Sequence, residues 1–583
     1  MYVSYRNFRS MTATTLPPSN LSNPSYGYDF VVAVTEDSVN ATMLQYLYTV
    51  NAPMVYLFWI ADISSGAVVP KLVTDNATFL NSVQNIDPFS IPSGTAFTDS
   101  RVQTLYAANL MFAVRLKIGP PPGVLPSSLG NIVTFSNAAG TGGAINGVLF
   151  NMYCSTFDIL QTTPPSTGQF GLTVPGSWLN ISQDPSSPWI YGASVNLDFQ
   201  TAAFTSLPVT VQNQIKNING SDKFSVQQLL FDLANAGLES SPTISTTSTT
   251  LPNDSPLVTT LRDRICTSYF SQMQGSNQPI MGIAATPNAG PDTSTLQPSS
   301  LDLWLDVYLD PSQGGKPNFT SGLTTLNYLC SVASTQKSPT SFTWNWVPDE
   351  AAQADCDGVV SINRSWFVNY FNGRLSSYVM ANCYSPSVTV TFGSDIKGSD
   401  PNVTMPATGT TILQYSYSKD ASDQAGLNGD EGKMDVSTNF TMDVVLTGNT
   451  IVITQHLVIY TSMSLELANG SGNIVDKEIV DTYTLSVGSG GDLKALLTSS
   501  VPTDNSQWSK ANSFLNFFDD VNSLIAQAQQ WAGSVVATTF TDVPIGTVQG
   551  LIFPGAKTFT YKEAGFSPYQ DLVALITYTD PST

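Results

Sequence analysis

The chain of 583 residues carries 43 acidic against 22 basic side chains, a net charge of −21, and charged residues make up only 11% of it. A soluble domain holds about 25% charged residues, so this surface is built largely from neutral polar side chains; the 42% hydrophobic residues supply a large core and exclude global disorder. The negative balance argues against nucleic-acid binding, which needs clustered Lys and Arg, and against simple electrostatic adhesion to an anionic bilayer.

Residues 1–25 read as a flexible arm; their basic side chains are followed by no apolar stretch of the secretory kind, so the expected location is cytoplasmic or reached by a non-classical route. Asp37 or Ser38 is expected to cap a helix presenting Val39, Met43, Tyr46, Leu47 and Val50. The longest apolar run, 54–61, is far short of the ~18 residues that span a bilayer. Leu110, Phe112, Val114, Leu116 and Ile118 then alternate with polar neighbours as a strand, and 119–147 reads as a loop. Residues 189–200 alternate in the same way. Residues 224–235 place Val226, Leu229, Leu230 and Leu233 on one helical stripe. Ser/Thr/Pro/Gly-rich loops are expected at 240–256 and 275–300.

Alternation returns at 301–309, and Ser365 is expected to cap a helix bearing Trp366, Phe367, Tyr370, Phe371, Leu375 and Tyr378. Further strands are expected at 440–446, 451–460 and 463–467. The longest helical stripe runs over 506–532 with Trp508, Phe514, Leu515, Phe518, Val521, Ile525 and Ala528. Strict alternation marks antiparallel sheet with one dry face, and several strands are about twice the usual length. The expected class is α+β and β-rich, an extended and strongly twisted sheet set against a few amphipathic helices.

Catalytic signatures are sparse. A single histidine, His456, is the only base for any Ser–His arrangement; no G-x-S-x-G occurs, and His456 reads as a hydrogen-bonded strand residue. Residues 426–434 have the glycines of a phosphate loop at the wrong spacing, with Met434 where a hydroxyl belongs. Asp355 and Asp357 before Gly358, and the acidic group Asp420, Asp423, Asp430, Glu431 and Asp435, read as solvated turns rather than calcium sites. Asp302, Asp306 and Asp310 read as wetting the outer face of a strand. Five cysteines without a C-x-x-C fit reduced thiols, and the N-x-S/T sequons are no denser than chance. No catalytic residue, metal or cofactor is expected.

The helix stripes carry the functional expectation. Packing against the sheet is the ordinary role of such residues. Long strands curling around a helix also leave room for an apolar groove, and burying an acyl chain there gains ~0.8 kcal/mol per methylene. The candidate lining is Val39, Met43 and Leu47 with Phe514, Phe518 and Val521. Two other readings stay open: an interaction subunit with a fully packed sheet, and a β-rich carbohydrate-active enzyme.

Five blocks, at 26–47, 148–160, 224–236, 358–371 and 553–578, resemble in order the tubular lipid-binding (TULIP) proteins, and more narrowly the forty-seven-kilodalton proteins of clostridial toxin clusters and their fungal relatives. In the first block Asp37, Asn40 and Met43 match the family's Asp-x-x-Asn-x-x-Leu-like spacing. The resemblance implies one elongated domain over 26–583, of one or two lobes, with a strongly curved antiparallel sheet wrapped around long amphipathic helices. It further implies lipid or another apolar small molecule as cargo, no catalysis, and a protein partner in a toxin-like complex.

Overall fold

The computed structural model describes residues 16–49, 54–135, 148–202, 224–238, 280–287, 300–331, 339–349, 356–381, 395–507, 551–552 and 558–579, with short interruptions at 65, 74, 168–170, 185–187, 426–431, 466–467 and 488–492. Three larger antiparallel sheets of six, ten and six strands organise these residues, with two small two-stranded sheets beside them.

The first sheet gathers strands far apart in sequence. Phe30–Thr35 sits in it between Thr325–Ser331 and Gly358–Ile362, and Leu572–Thr579 and Thr558–Phe566 complete one side while Ser300–Asp306 closes the other. All residues of Phe30–Thr35, Thr325–Ser331 and Gly358–Ile362 are buried. Alternate side chains therefore enter two cores. Phe30, Val32 and Val34 join the principal one, while Val31 and Ala33 meet Tyr26, Tyr28, Phe342, Trp344 and Trp346 on the opposite face. There the Trp344 and Trp346 rings stand edge-on at 5.4 Å, an arrangement favoured by the aromatic quadrupole. The same aromatic segment corrects the reading of Asp306. Its carboxylate is buried, accepts from Asn327 Nδ2 at 2.7 Å and from the Phe342 N–H, and wets no outer surface.

The second sheet is built around Val148–Thr163. Leu110–Ile118 and Val133–Thr134 lie along one side of it; Ser177–Ser182 and Ile190–Ala202 lie along the other. The sheet continues through Phe224–Leu238 and Ile280–Pro287. Residues 224–235 are thus strand, not helix. The contiguous Leu229, Leu230 and Phe231 satisfy either period, and pairing on both sides decides for strand. The register shift at Leu229/Leu230 also breaks the alternation that would have marked it. The 275–300 segment, expected as a loop, holds Ile280–Pro287.

The third sheet is a sequential meander: Asp395–Thr404, Thr411–Ala425, Gly432–Thr447, Thr450–Leu465, Ala468–Val487 and Leu493–Asp504. In Thr450–Leu465 the side chains of Ile451, Ile453, Leu457 and Ile459 face inward, with Val452, Thr454, His456 and Val458 on the other side. One dry and one wet face is what strict alternation predicts.

Among the described residues the α-helices are α1 (Glu36–Thr49), α2 (Asn76–Ser82), α3 (Ser100–Ala107) and α4 (Arg364–Ala381). None approaches the length expected for 506–532. That span lies outside the described residues except for Ser506 and Gln507, which are irregular.

Candidate functional site

The α1 helix begins where the sheet ends. Thr35, last residue of its strand, caps it: Thr35 Oγ1 accepts from the Ser38 N–H at 3.3 Å and donates to Ser38 Oγ at 2.7 Å. The cap thus falls two residues before Asp37, which sits with Glu36 in the first turn where carboxylates favour the helix dipole. Glu36 is buried and clamps the 131–135 segment, accepting from Asn131 Nδ2 and from the Phe135 N–H, each at 2.8 Å. Asn40, one turn on, donates to the Val133 carbonyl at 2.7 Å and accepts from its N–H at 2.8 Å. Burial pushes the Glu36 carboxyl up to about 7 against these two donors.

This anchoring turns Val39, Met43 and Leu47 into the principal core, where they are 1%, 1% and 4% exposed. Phe514, Phe518 and Val521, the other half of the expected lining, lie outside the described residues. α4 enters the same core through Phe367, Phe371, Leu375 and Val379. Asn363, not Ser365, caps it, accepting from the Ser365 N–H at 2.8 Å.

The first turn of α4 ties three parts of the chain together. Asp571, fully buried at the start of Leu572–Thr579, accepts from the Arg364 N–H at 2.9 Å, the Leu21 N–H at 2.6 Å and Ser19 Oγ at 2.8 Å. The Arg364 guanidinium reaches the other way, donating to the carbonyls of Pro406 (2.8 Å), Thr411 (2.9 Å) and Gly409 in the first turn of the meander. Residues 16–22, part of the expected flexible arm, are thereby stapled against the first sheet. Nothing in the local sequence marks Asp571 as a hub; a lone acid ahead of an apolar strand is its only signal.

Beside this junction lies a cleft of about 500 Å³ between the 447–450 turn of the meander and strand Thr558–Phe566. Leu16, Leu485, Val487, Ala564, Phe566 and Pro568 give it apolar walls, with Lys562 and Glu563 at its exposed rim. The Phe566 N–H donates to the Gly448 carbonyl at 2.7 Å and holds the two sheets together at its floor. Gly565 must be small here, since a Cβ would lie 2.8 Å from Leu16 Cδ1 and 3.0 Å from the Gly448 oxygen. A second hollow, about 410 Å³ on the meander's outer face, is lined by Lys433, Asp435, Tyr460 and serines and is polar.

Other candidate groups are held by structure. His456 Nε2 lies 2.9 Å from Asp476 Oδ1 on the wet face of its strand. Asp357 accepts from Ser38 Oγ and Thr577 Oγ1, fixing α1 to the sheet. Among the described residues no three His, Cys, Asp or Glu side chains gather to hold a metal. Cys154, Cys330 and Cys356 are buried. No helix among the described residues is long and apolar enough to cross a membrane.

No protein-family model and no curated protein matches the chain. Among solved structures it is similar to P47 from Clostridium botulinum A2, at 12% identity and TM-score 0.37, covering 96% of this chain and 100% of that one. It is similar to P47 of Clostridium botulinum E1 at 9% identity and TM-score 0.40, over 95% and 100% of the two chains. A lipopolysaccharide binding protein matches at 9% identity and TM-score 0.27, over 95% and 99%.

Proposed function

We propose that the chain binds lipid or another apolar small molecule, without chemistry upon it, in the cleft between the meander and the first sheet. The observation that supports this reading is the cleft itself: about 500 Å³ walled by Leu485, Val487, Ala564, Phe566 and Pro568. Ligand pockets run from about 300 to 1,000 Å³ with mostly apolar linings. Each methylene buried there gains ~0.8 kcal/mol before ordering costs. The accompanying architectural proposal is a TULIP-like one, a curved sheet wrapped around helices, with delivery alongside a protein partner as the biological role.

The second reading is an interaction subunit with packed sheets. The near-complete burial of Val39, Met43 and Leu47 favours it, because core residues of that kind need no ligand. A fluorescently labelled dodecanoate separates the two. Saturable uptake by the chain that is lost in Val487→Trp, which fills the cleft from its half-buried wall, supports the cleft reading. No uptake by the unaltered chain favours the packed subunit.

A further inference from the structure

We propose that one end of the ten-stranded sheet, where the described residues 62–64, 66–69, 163–167 and 171–177 emerge, docks onto the surface of an electrically neutral lipid bilayer. The topology brings these turns together. Strand Val55–Asp62 pairs Ile60 with Leu110, the first residue of the next strand, and Phe112 of that strand pairs with Gln161 near the end of Val148–Thr163. Thr163 in turn pairs with Ser177, where the next strand begins. Both turns therefore leave the same end of the sheet, about three strand spacings or ~15 Å apart. The space between them is filled by the end of α3. The Ala61 N–H donates to the Asn109 carbonyl at 2.8 Å, Tyr106 stacks edge-on against Phe97 at 5.0 Å, and Phe97 lies against Gly176 so closely that a Cβ there would come within 2.7 Å of its ring.

This end presents large apolar side chains to solvent. Ile63 is 67% exposed, Val68 63% and Leu172 68%, with Val69 and Tyr106 also exposed. Isolated exposed aliphatics are ordinary; four of them on two neighbouring protruding turns, with a tyrosine between, are not. The charge pattern identifies the partner. Residues 160–183 and 63–70 contain no ionisable side chain. Of the charges near the two turns, Lys71 pairs with Asp62 at 3.9 Å and Arg101 with Asp99 at 2.8 Å. These two pairs cancel, in a chain of net charge −21. A protein partner matched to most of this surface would be steered by charge, whereas this end has none to offer. Aliphatic tips with a tyrosine and a flanking lysine match the interfacial layer of a bilayer, which accepts apolar side chains at its depth and aromatic and lysine side chains at its edge. The paired strands beneath keep backbone groups satisfied, so the tips alone enter. The inference does not depend on the cleft being a cargo site.

Flotation of the full chain with phosphatidylcholine vesicles tests it. The chain is expected to float, equally at low and high salt, because no net charge drives the contact. Ile63→Asp with Val68→Asp should reduce the bound fraction about tenfold or more, and Leu172→Asp severalfold. Leu496→Asp with Val501→Asp, exposed apolar residues of the meander's last strand, should leave it unchanged. Val68→Trp supplies a second readout, a blue shift of tryptophan emission on adding the vesicles. Failure of the unaltered chain to float, flotation only with anionic vesicles and lost at high salt, turn variants that float like the unaltered chain, or no emission shift would each overturn the proposal.

Discussion

The Asp571 carboxylate accepts a 2.9 Å hydrogen bond from the backbone N–H of Arg364, and the Arg364 guanidinium reaches the carbonyls of the 404–411 turn. These two residues connect a C-terminal strand, the start of α4 and the meander. Removing the Asp571 acceptor strands buried donors, including the Leu21 and Arg364 N–H groups, and each orphaned group costs ~1–3 kcal/mol. Asp571→Ala should lower the stability measured by urea unfolding by about 3–5 kcal/mol. Proteolysis between residues 16 and 22 should accelerate in the same variant.

Stability should fall as pH rises from about 5 to 8. Burial raises the carboxyls of Glu36 and Asp306 to about 7 from ordinary values of 4.5 and 3.8. Between those limits the folded chain holds protons that the unfolded chain has lost, so the favourable contribution is present in full below the ordinary values and disappears as pH passes the folded ones. Full ionisation of Glu36 costs on the order of 3 kcal/mol. Urea midpoints across this range should decline less steeply in Glu36→Gln; an unchanged slope would remove Glu36 from the account.

Met43→Ala should destabilise the fold by about 2–5 kcal/mol, the cost of a core cavity, while leaving dodecanoate uptake at the cleft intact. Selective loss of uptake without loss of stability would instead make α1 part of the ligand wall.

Cys154, Cys330 and Cys356 should resist alkylation in the native chain and react once it is denatured. Each is buried, and desolvation pushes the Cys154 thiol up to about 12 and that of Cys330 well above its ordinary value. Peptide mass spectrometry after iodoacetamide treatment reads this residue by residue.

Asn40, Asn180 and Asn363 should remain unmodified even when the chain is made in a glycosylating host. Their side-chain amides already donate to carbonyls, of Val133, of Phe89 and Ile91, and of Leu21 and Tyr28 respectively. Intact-glycopeptide analysis checks each site.

The legible parts of the fold were those written in short-range pattern. Residues 110–118 alternate cleanly and form a strand over that span, and the stripes behind Val39 and Phe367 are helical, with the caps two or three residues earlier than Asp37 or Ser38 at the first and two earlier than Ser365 at the second. Pairing was not legible. Phe30–Thr35 lies between strands some three hundred residues away, and burial on both faces erases alternation. Residues 224–235 show the same failure from the other side, because a contiguous apolar triplet fits two periods. The cleft walls come from Leu16, 448–449, 485–487 and 562–568, each unremarkable alone, and only their juxtaposition makes a site. On the candidate lining, sequence placed Val39, Met43 and Leu47 on one buried face but carried no information on whether that face meets ligand or protein.

The most direct test is native mass spectrometry of the purified chain, followed by organic extraction and lipid analysis, on the unaltered protein and on Val487→Trp. A near-stoichiometric apolar ligand is expected on the unaltered chain and none on the filled variant. A bare mass for both, with no uptake on incubation with lipid, would contradict it and leave the packed interaction subunit as the reading of this fold.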